Sequence, residues 1–184
     1  MNRREALSSV ALLLGGSIIG SEMFLLSGCK SSPEKVNELF TVDDVTLLDE
    51  IAETIIPQTD TPGAKAAKTG AFMALMVNDC YTKDEQKIFL DGLKDINKLS
   101  QAKYQKDFLE MDKDQRKSML ILLDKEQKEA RKKDESHYFR MMKELALFGY
   151  FTSEQGATQE LSYIEVPGRY DGCVPYKKGD PAYL

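Results

Sequence analysis

The sequence has few of the residues on which most enzyme chemistry depends. Its 184 residues include one histidine, three cysteines and no tryptophan. A histidine-rich metal site is therefore excluded. The motifs G-x-G-x-x-G, G-x-x-x-x-G-K-[ST], C-x-x-C and C-x-x-C-H are also absent. The sequence therefore indicates no cofactor-binding site and no catalytic residue in this chain.

A strong positive charge is missing as well. The chain carries 25 Lys+Arg against 30 Asp+Glu, a net charge of -5. No section has the one-sided basic character that phosphate binding needs, which argues against a nucleic-acid partner. Hydrophobic residues make up 42% of the chain, enough for a real core. The composition predicts one soluble globular domain.

The N-terminal residues 1–28 have the pattern of a signal peptide. Arg3 and Arg4 precede the uncharged stretch Ala6–Ser21. Glu22 interrupts the apolar run before the roughly 18 residues that a membrane-spanning helix usually needs, so a spanning anchor is the second interpretation. The Arg3-Arg4 pair also resembles a twin-arginine signal, and the export route stays open.

The segment Leu26-Ser27-Gly28-Cys29 resembles the bacterial lipobox, in which the cysteine sulfur is acylated before cleavage. This resemblance implies that Cys29 is lipidated. The polar residues that follow it predict a flexible tether over residues 29–40. The expected location is the periplasm, with a lipid anchor in the membrane. An ordinary cleavage site with an incidental cysteine is the alternative.

Residues 41–184 are predicted to form a single all-α domain of about five helices. Capping residues at Thr41, Thr82 and Asp112 mark helix starts, and apolar residues follow at helical spacing. A helix around Ala71–Tyr81 is expected to turn Phe72, Met76 and Cys80 to one face, with Cys80 in the core.

The charged middle section, residues 82–135, is interpreted as two solvated amphipathic helices. The acidic pairs Asp43-Asp44 and Asp84-Glu85 stand at predicted helix starts, where carboxylates complement the helix dipole. A glycosidase acid and base is the competing interpretation. His137, the one imidazole, is expected to be a surface or capping residue rather than a general base.

An irregular tail is predicted from about residue 149, and it contains five of the eight tyrosines. Long loops without regular structure are usually functional or disordered, and tyrosine is favoured at interfaces. We therefore expect this tail to dock on a partner. Cys173 lies in it between glycine and valine and is expected to be exposed. It is a candidate for a disulfide with a partner or with Cys80.

Two motifs, spread over three segments, resemble a known family. Residues 55–64, IIPQTDTPGA, are similar to the N-terminal motif of gluconate 2-dehydrogenase subunit 3 proteins. Residues 148–158, FGYFTSEQGAT, and residues 166–170, VPGRY, resemble its C-terminal signature. The resemblance covers most of the chain after the signal peptide. It implies a small, helical, non-catalytic subunit.

The same resemblance implies the partners. A large FAD-dependent flavoprotein of the glucose-methanol-choline type is expected to oxidise a sugar, sugar acid or glycoside, with a cytochrome c subunit carrying haem c. The small subunit would aid export, folding or anchoring of the flavoprotein. A stand-alone carbohydrate-binding lipoprotein, with tyrosines clustered in a pocket, is the alternative. The residues expected to contact the partner are Pro57, Thr59, Pro62, Gly63, Phe148, Tyr150, Thr152, Tyr170 and Tyr176.

Overall fold

The computed structural model describes residues 34–166, 168–169 and 172–182. The predicted signal peptide, Cys29 and Tyr170 lie outside the described residues. The described part contains five α-helices, as predicted, and also a 3₁₀ turn at Phe108–Glu110 and a π-helical turn at Gly156–Glu160. The helices are α1 Val42–Ile55, α2 Thr69–Cys80, α3 Lys83–Tyr104, α4 Lys113–Lys132 and α5 Tyr138–Phe151.

The starts of α1, α3 and α4 are capped by local side-chain hydrogen bonds. Thr41 accepts a bond from the Asp44 amide at 3.2 Å, and Asp44 Oδ2 accepts one from the Thr41 amide at 2.9 Å. Thr82 and Glu85 form the same reciprocal pair at α3, and Asp112 caps α4. These bonds satisfy amides that a helix leaves unpaired at its first turn. All three predicted helix starts are confirmed, and the carboxylates of Asp44 and Glu85 serve there as caps.

Helix α1 is central to the core, and it packs against α2, α4 and α5. Its residues Leu48, Ile51 and Ala52 are fully buried. Burying an aliphatic side chain of the size of leucine or isoleucine stabilises a fold by about 1.5–3 kcal/mol. Outside α1, the largest fully buried side chains are Phe40, Met73, Val77, Phe89, Ile96, Phe108, Leu123, Phe139, Met142 and Tyr150.

The charged middle forms solvated helix surfaces, as predicted. Ion pairs such as Lys87 with Asp91 join exposed side chains three or four residues apart on α3 and α4. Pairs of this kind contribute little to stability. Asp124 is different, because it binds Lys128 on its own helix and Lys143 on α5, at 2.6 Å each. These bonds lower the pKa of Asp124 to about 2.

The prediction of a core position for Cys80 is wrong, because the structure places this thiol on the surface. Helix α2 buries Met73, Ala74 and Val77, while Phe72 and Met76 are partly buried. Cys80 is the last residue of the helix. Gln86 of α3 covers that end by donating to the carbonyls of Val77 and Asn78 at 3.0 Å.

Residues 161–182 contain no α-helix in the stretches that the structure describes. The Ser162 amide donates to the Ala182 carbonyl at 2.8 Å, which brings the two ends of this segment together. No helix among the described residues is long and apolar enough to cross a membrane.

Thr69 carries a buried hydroxyl that is expected to lower the stability of the fold. Its side chain is fully buried, and its hydroxyl oxygen has no hydrogen-bond partner among the residues that the structure describes. A buried polar group without a partner retains its desolvation cost. We expect Thr69→Val to raise the free energy of unfolding by about 1 kcal/mol in chemical denaturation. Thr54→Val is the control, since the Thr54 hydroxyl donates to the Glu50 carbonyl at 2.7 Å. An equal gain in both variants would contradict this explanation.

Candidate functional site

The loop between α1 and α2, residues 56–68, is held by acidic side chains of α1. The two carboxylate oxygens of Glu53 accept bonds from the backbone amides of Gln58 and Lys65, both at 2.9 Å. One side chain therefore binds the loop near its two ends. This fixes a segment whose prolines, Pro57 and Pro62, already restrict the backbone.

Asp49 fixes the place where the loop enters α2. Helix α2 starts after Lys68, whose side chain makes no capping bond and whose backbone is left-handed, with φ of 54°. The Gly70 amide instead donates to Asp49 Oδ1 at 2.7 Å. Burial raises the pKa of Asp49, and the bond from Gly70 acts in the opposite direction. Asp49 thus caps α2 from a neighbouring helix.

Glu50 joins the loop to α4. It forms ion pairs with Lys65 of the loop and with Arg116 of α4. Burial opposes the ionisation of Glu50, but the hydrogen bond from Lys65 and the charge of Arg116 outweigh it and lower the pKa. Arg116 also donates to the carbonyls of Phe108 and Leu109, at 3.0 and 2.6 Å. Each of the three guanidinium nitrogens therefore makes a structural contact.

Tyr150 connects the loop to the start of the C-terminal tail. Its hydroxyl donates to the Pro62 carbonyl at 2.7 Å, and its own carbonyl accepts a bond from the Ser153 hydroxyl at 2.7 Å. A second link runs from the Thr61 hydroxyl to Glu160 Oε2, at 2.6 Å. The two motifs that carry the family resemblance are therefore in direct contact.

Gly63 is required by the close approach of the loop to α1. A β-carbon at this position would lie 2.6 Å from the Gln58 amide nitrogen and closer still to the Glu53 carboxylate. Real β-carbons do not approach other atoms this closely, so any larger residue would push the carboxylate away from the amides that it binds.

The structure divides the residues expected to contact a partner into exposed and buried ones. Phe148 is 54% exposed and Tyr176 is 71% exposed, whereas the Tyr150 side chain is 1% exposed. Tyr150 is therefore too buried to contact a partner directly. It can affect binding by fixing the position of the loop through its bond to Pro62. Pro57, Thr59 and Thr152 are exposed, Pro62 is half-buried, and Gly63 is buried.

The exposed aromatic ring of Phe148 belongs to an apolar patch on α2 and α5. Its centroid lies 5.7 Å from that of Phe72. Gly149 permits this packing, because a β-carbon there would lie 2.5 Å from the Phe72 ring. Leu75, one turn further along α2, is 55% exposed. Within residues 148–158, Phe148 is the aromatic side chain that is exposed to solvent.

A groove of about 380 Å³ lies beside the loop, between α1 and α4. Its lining mixes acidic and basic side chains, and Glu50 and Arg116 in it are already paired with each other. No group of three or more His, Cys, Asp or Glu side chains suited to a metal ion occurs among the residues that the structure describes.

His137 is a capping residue, as predicted. Its Nδ1 accepts a bond from the Phe139 amide at 3.2 Å at the start of α5. The ring stacks on Tyr138, with centroids 4.6 Å apart, and burial lowers the pKa of the imidazole. Cys173 is exposed, as predicted, and both Cys80 and Cys173 are free thiols in the structure.

Comparison with known families decides the assignment. The model of the family described as gluconate 2-dehydrogenase subunit 3 matches residues 43–168. The chain belongs to the gluconate 2-dehydrogenase subunit 3 family. The matched range includes the loop, and it also includes the start of the tail, which Tyr150 and Glu160 link to the loop. No curated protein and no solved structure matches the chain.

The sequence did not predict a role for three carboxylates of α1 that hold the loop. They are Asp49, Glu50 and Glu53. A signal for them was present, since they stand in the last two turns of a helix, where negative charge opposes the helix dipole. Acidic residues at such positions usually need compensating partners. The sequence did not indicate that these partners are loop amides, Lys65 and Arg116.

Gly63→Ala is expected to destabilise the protein by about 1–3 kcal/mol, because the added carbon overlaps Glu53 and the Gln58 amide. Chemical denaturation of the single variants and of Gly63→Ala with Glu53→Ala tests the contact. Removing the Glu53 side chain relieves most of the overlap, so the double variant should be less destabilised than the sum. Strict additivity would contradict this account.

Tyr150→Phe is expected to cost about 1 kcal/mol and to loosen the loop, because the Pro62 carbonyl loses its donor. Hydrogen exchange should become faster at the amides of residues 58–65, with little change in α3. Tyr176→Phe is the matched control, since this side chain is largely exposed. Unchanged loop exchange in Tyr150→Phe would show that the hydroxyl does not hold the loop.

Proposed function

We propose that this chain is a non-catalytic small subunit of an FAD-dependent dehydrogenase complex that oxidises a sugar, sugar acid or glycoside. In this proposal the catalytic partner is a large flavoprotein of the glucose-methanol-choline type, and a cytochrome c subunit with haem c takes the electrons. The small subunit supports export, folding or anchoring of the flavoprotein. The family match over residues 43–168 is the observation that carries the proposal.

The arrangement of the loop supports a docking role. Its outermost residues, Pro57 to Asp60, are exposed, while its backbone is held by Glu53 and Tyr150. A surface that is rigid before binding loses less conformational entropy on association. The loop therefore has the properties of a preorganised contact.

The patch formed by Phe72, Leu75 and Phe148 is a second candidate contact with the flavoprotein. Exposed aromatic side chains beside aliphatic ones are the residues that dominate binding energy in many protein interfaces. Phe148 combines a large exposed area with a fixed position, because its ring packs against Phe72.

The location in this proposal is the periplasm, with a membrane anchor at Cys29. Two or three acyl chains hold a protein stably at a bilayer, whereas one chain holds it marginally. The resemblance of residues 26–29 to a lipobox supports this step. The anchor then keeps the flavoprotein at the membrane where its electrons are used.

The alternative, a stand-alone carbohydrate-binding lipoprotein, requires tyrosines that converge on one pocket. Tyr150 is buried under the loop, and Tyr176 is largely exposed in the tail. These positions favour the subunit role over the carbohydrate-binding role.

The test is purification of the tagged full-length chain from detergent-solubilised membranes, followed by mass spectrometry and flavin fluorescence. A flavoprotein dehydrogenase is expected to co-purify with the chain. Replacing Phe148 by Asp is expected to lower its yield by about tenfold or more, as loss of a central aromatic contact does in other interfaces. Ile121→Asp is the matched control, because Ile121 is similarly exposed on α4.

Absence of any flavoprotein from the wild-type preparation would contradict the proposed function. Equal yields from the Phe148 and Ile121 variants would leave the subunit role intact and remove the apolar patch from the interface. Circular dichroism of each variant confirms that the helical fold is retained.

A further inference from the structure

Among the helices that the structure describes, α4 is the most basic. Over its full length it carries seven Lys and Arg against four Asp and Glu, whereas the whole chain has a net charge of -5. Its exposed charged side chains are the positive Lys113, Lys117, Lys125, Lys128, Arg131 and Lys132 and the negative Asp114, Glu126 and Glu129. The exposed side of α4 is therefore positive on a protein that is acidic as a whole.

Two aliphatic side chains stand among these charges. Ile121 is 47% exposed and Leu122 is 39% exposed. Ser118 and Lys125 lie three or four residues before and after them and so share their side of the helix. The opposite side of α4 is buried in the core. Packing behind the helix therefore fixes the two aliphatic side chains at the surface.

A groove lies beside each of these two side chains. The groove between α4 and α5 has a volume of about 220 Å³ and places Ile121 beside Lys117 and Lys143. The groove between α3 and α4 has a volume of about 300 Å³ and places Leu122 beside Lys103. Lysines from three helices thus surround the apolar pair.

The acidic residues that line the same grooves do not cancel this positive charge. Asp124 lines the first groove, and it is bound by both Lys128 and Lys143. That cluster keeps one net positive charge. Glu126 lines the second groove together with Lys103.

Two lysines next to the apolar pair have no partner in the described part of the chain. Lys117 and Lys125 are exposed, and neither forms an ion pair or a hydrogen bond with another described residue. Their ammonium groups are therefore available to a ligand outside the chain.

We propose that the exposed side of α4 lies against a bilayer that contains anionic lipid, with Ile121 and Leu122 in the headgroup region and the surrounding lysines on lipid phosphates. The nearness of a bilayer rests on the anchor at Cys29 in the proposed function. Eleven residues separate Cys29 from the fully buried Phe40, and an extended chain of that length spans about 40 Å at most. The anchor would therefore keep the domain close to the membrane.

The chemistry of α4 favours lipid over a protein partner. Five of its six exposed basic residues are lysines, and the helix contains no aromatic residue. Protein interfaces are enriched in arginine and aromatic residues and depleted in lysine. At a bilayer, lysine stems lie along apolar surface while their ammonium groups reach the phosphates. A two-fold dimer through α4 would instead place lysines opposite lysines.

The chain contains no tryptophan, so one introduced tryptophan reports on a single position. The full-length chain with Ile121→Trp is produced without other subunits and reconstituted in brominated phosphatidylcholine vesicles, with or without phosphatidylglycerol. Its emission is expected to fall by about twofold or more in the vesicles with phosphatidylglycerol, because acyl-chain bromine quenches an inserted indole. Leu75→Trp is the matched control, since Leu75 is 55% exposed on α2. Its emission is expected to stay the same in both vesicles.

A second variant tests the lysines. Adding Lys117→Glu and Lys125→Glu to Ile121→Trp is expected to restore most of the emission at low salt, because an anionic surface repels the new carboxylates. Adding Lys177→Glu and Lys178→Glu instead makes the same change of net charge in the exposed tail and is expected to leave the quenching intact. Salt at 1 M should weaken the quenching, since the Debye length is then about 3 Å. Circular dichroism checks that each variant keeps its helices.

The outcomes separate this inference from the proposed function. Unquenched Ile121→Trp in both vesicles, or quenching that the α4 lysine changes leave intact, would overturn the inference. Quenching of Leu75→Trp alone would assign the membrane contact to the apolar patch and also overturn it. Vesicle flotation tests the anchor separately. A chain that does not float with phosphatidylcholine but is quenched at position 121 by anionic vesicles would overturn the anchor and support the inference. None of these results changes the test of the subunit role, which is co-purification of a flavoprotein.

Discussion

The carboxylates in the second half of α1 are the constraint on which the rest of the surface depends. Asp49, Glu50 and Glu53 lie where negative charge is unfavourable for the helix itself. They are retained there in contact with the Gly70 amide, Lys65 and Arg116, and two loop amides. Partly buried charges need such partners, because an unpaired one is strongly destabilising. The loop conformation is therefore coupled to the stability of the central helix.

The loop in turn positions the tail. Tyr150 buries its ring in the core and uses its hydroxyl to hold the Pro62 carbonyl, which is the usual behaviour of a buried tyrosine with a polar tip. Thr61 then meets Glu160. A residue expected to anchor a partner directly thus acts inside the molecule, and the exposed surface on either side of it is the candidate for binding. A change at α1, at Gly63 or at Tyr150 would alter the same surface.

Prediction from the sequence succeeded where the interactions are local. The caps at Thr41, Thr82 and Asp112 join atoms three residues apart, so their spacing could be read directly. The core position predicted for Cys80 failed because helical spacing gives the face of a residue but not where a neighbouring element ends. The roles of Asp49, Glu50 and Glu53 were missed for a related reason, since their partners lie on the loop, α2 and α4.

The sequence by itself determined the helical class, the helix starts, the signal-peptide pattern and the family resemblance, because these depend on short-range spacing and on composition. Only the tertiary structure decided that the loop and the tail are in contact. The bonds responsible span 88 residues for Tyr150 to Pro62 and 99 for Thr61 to Glu160. No local pattern encodes such pairs, since packing of the helices brings their atoms into range.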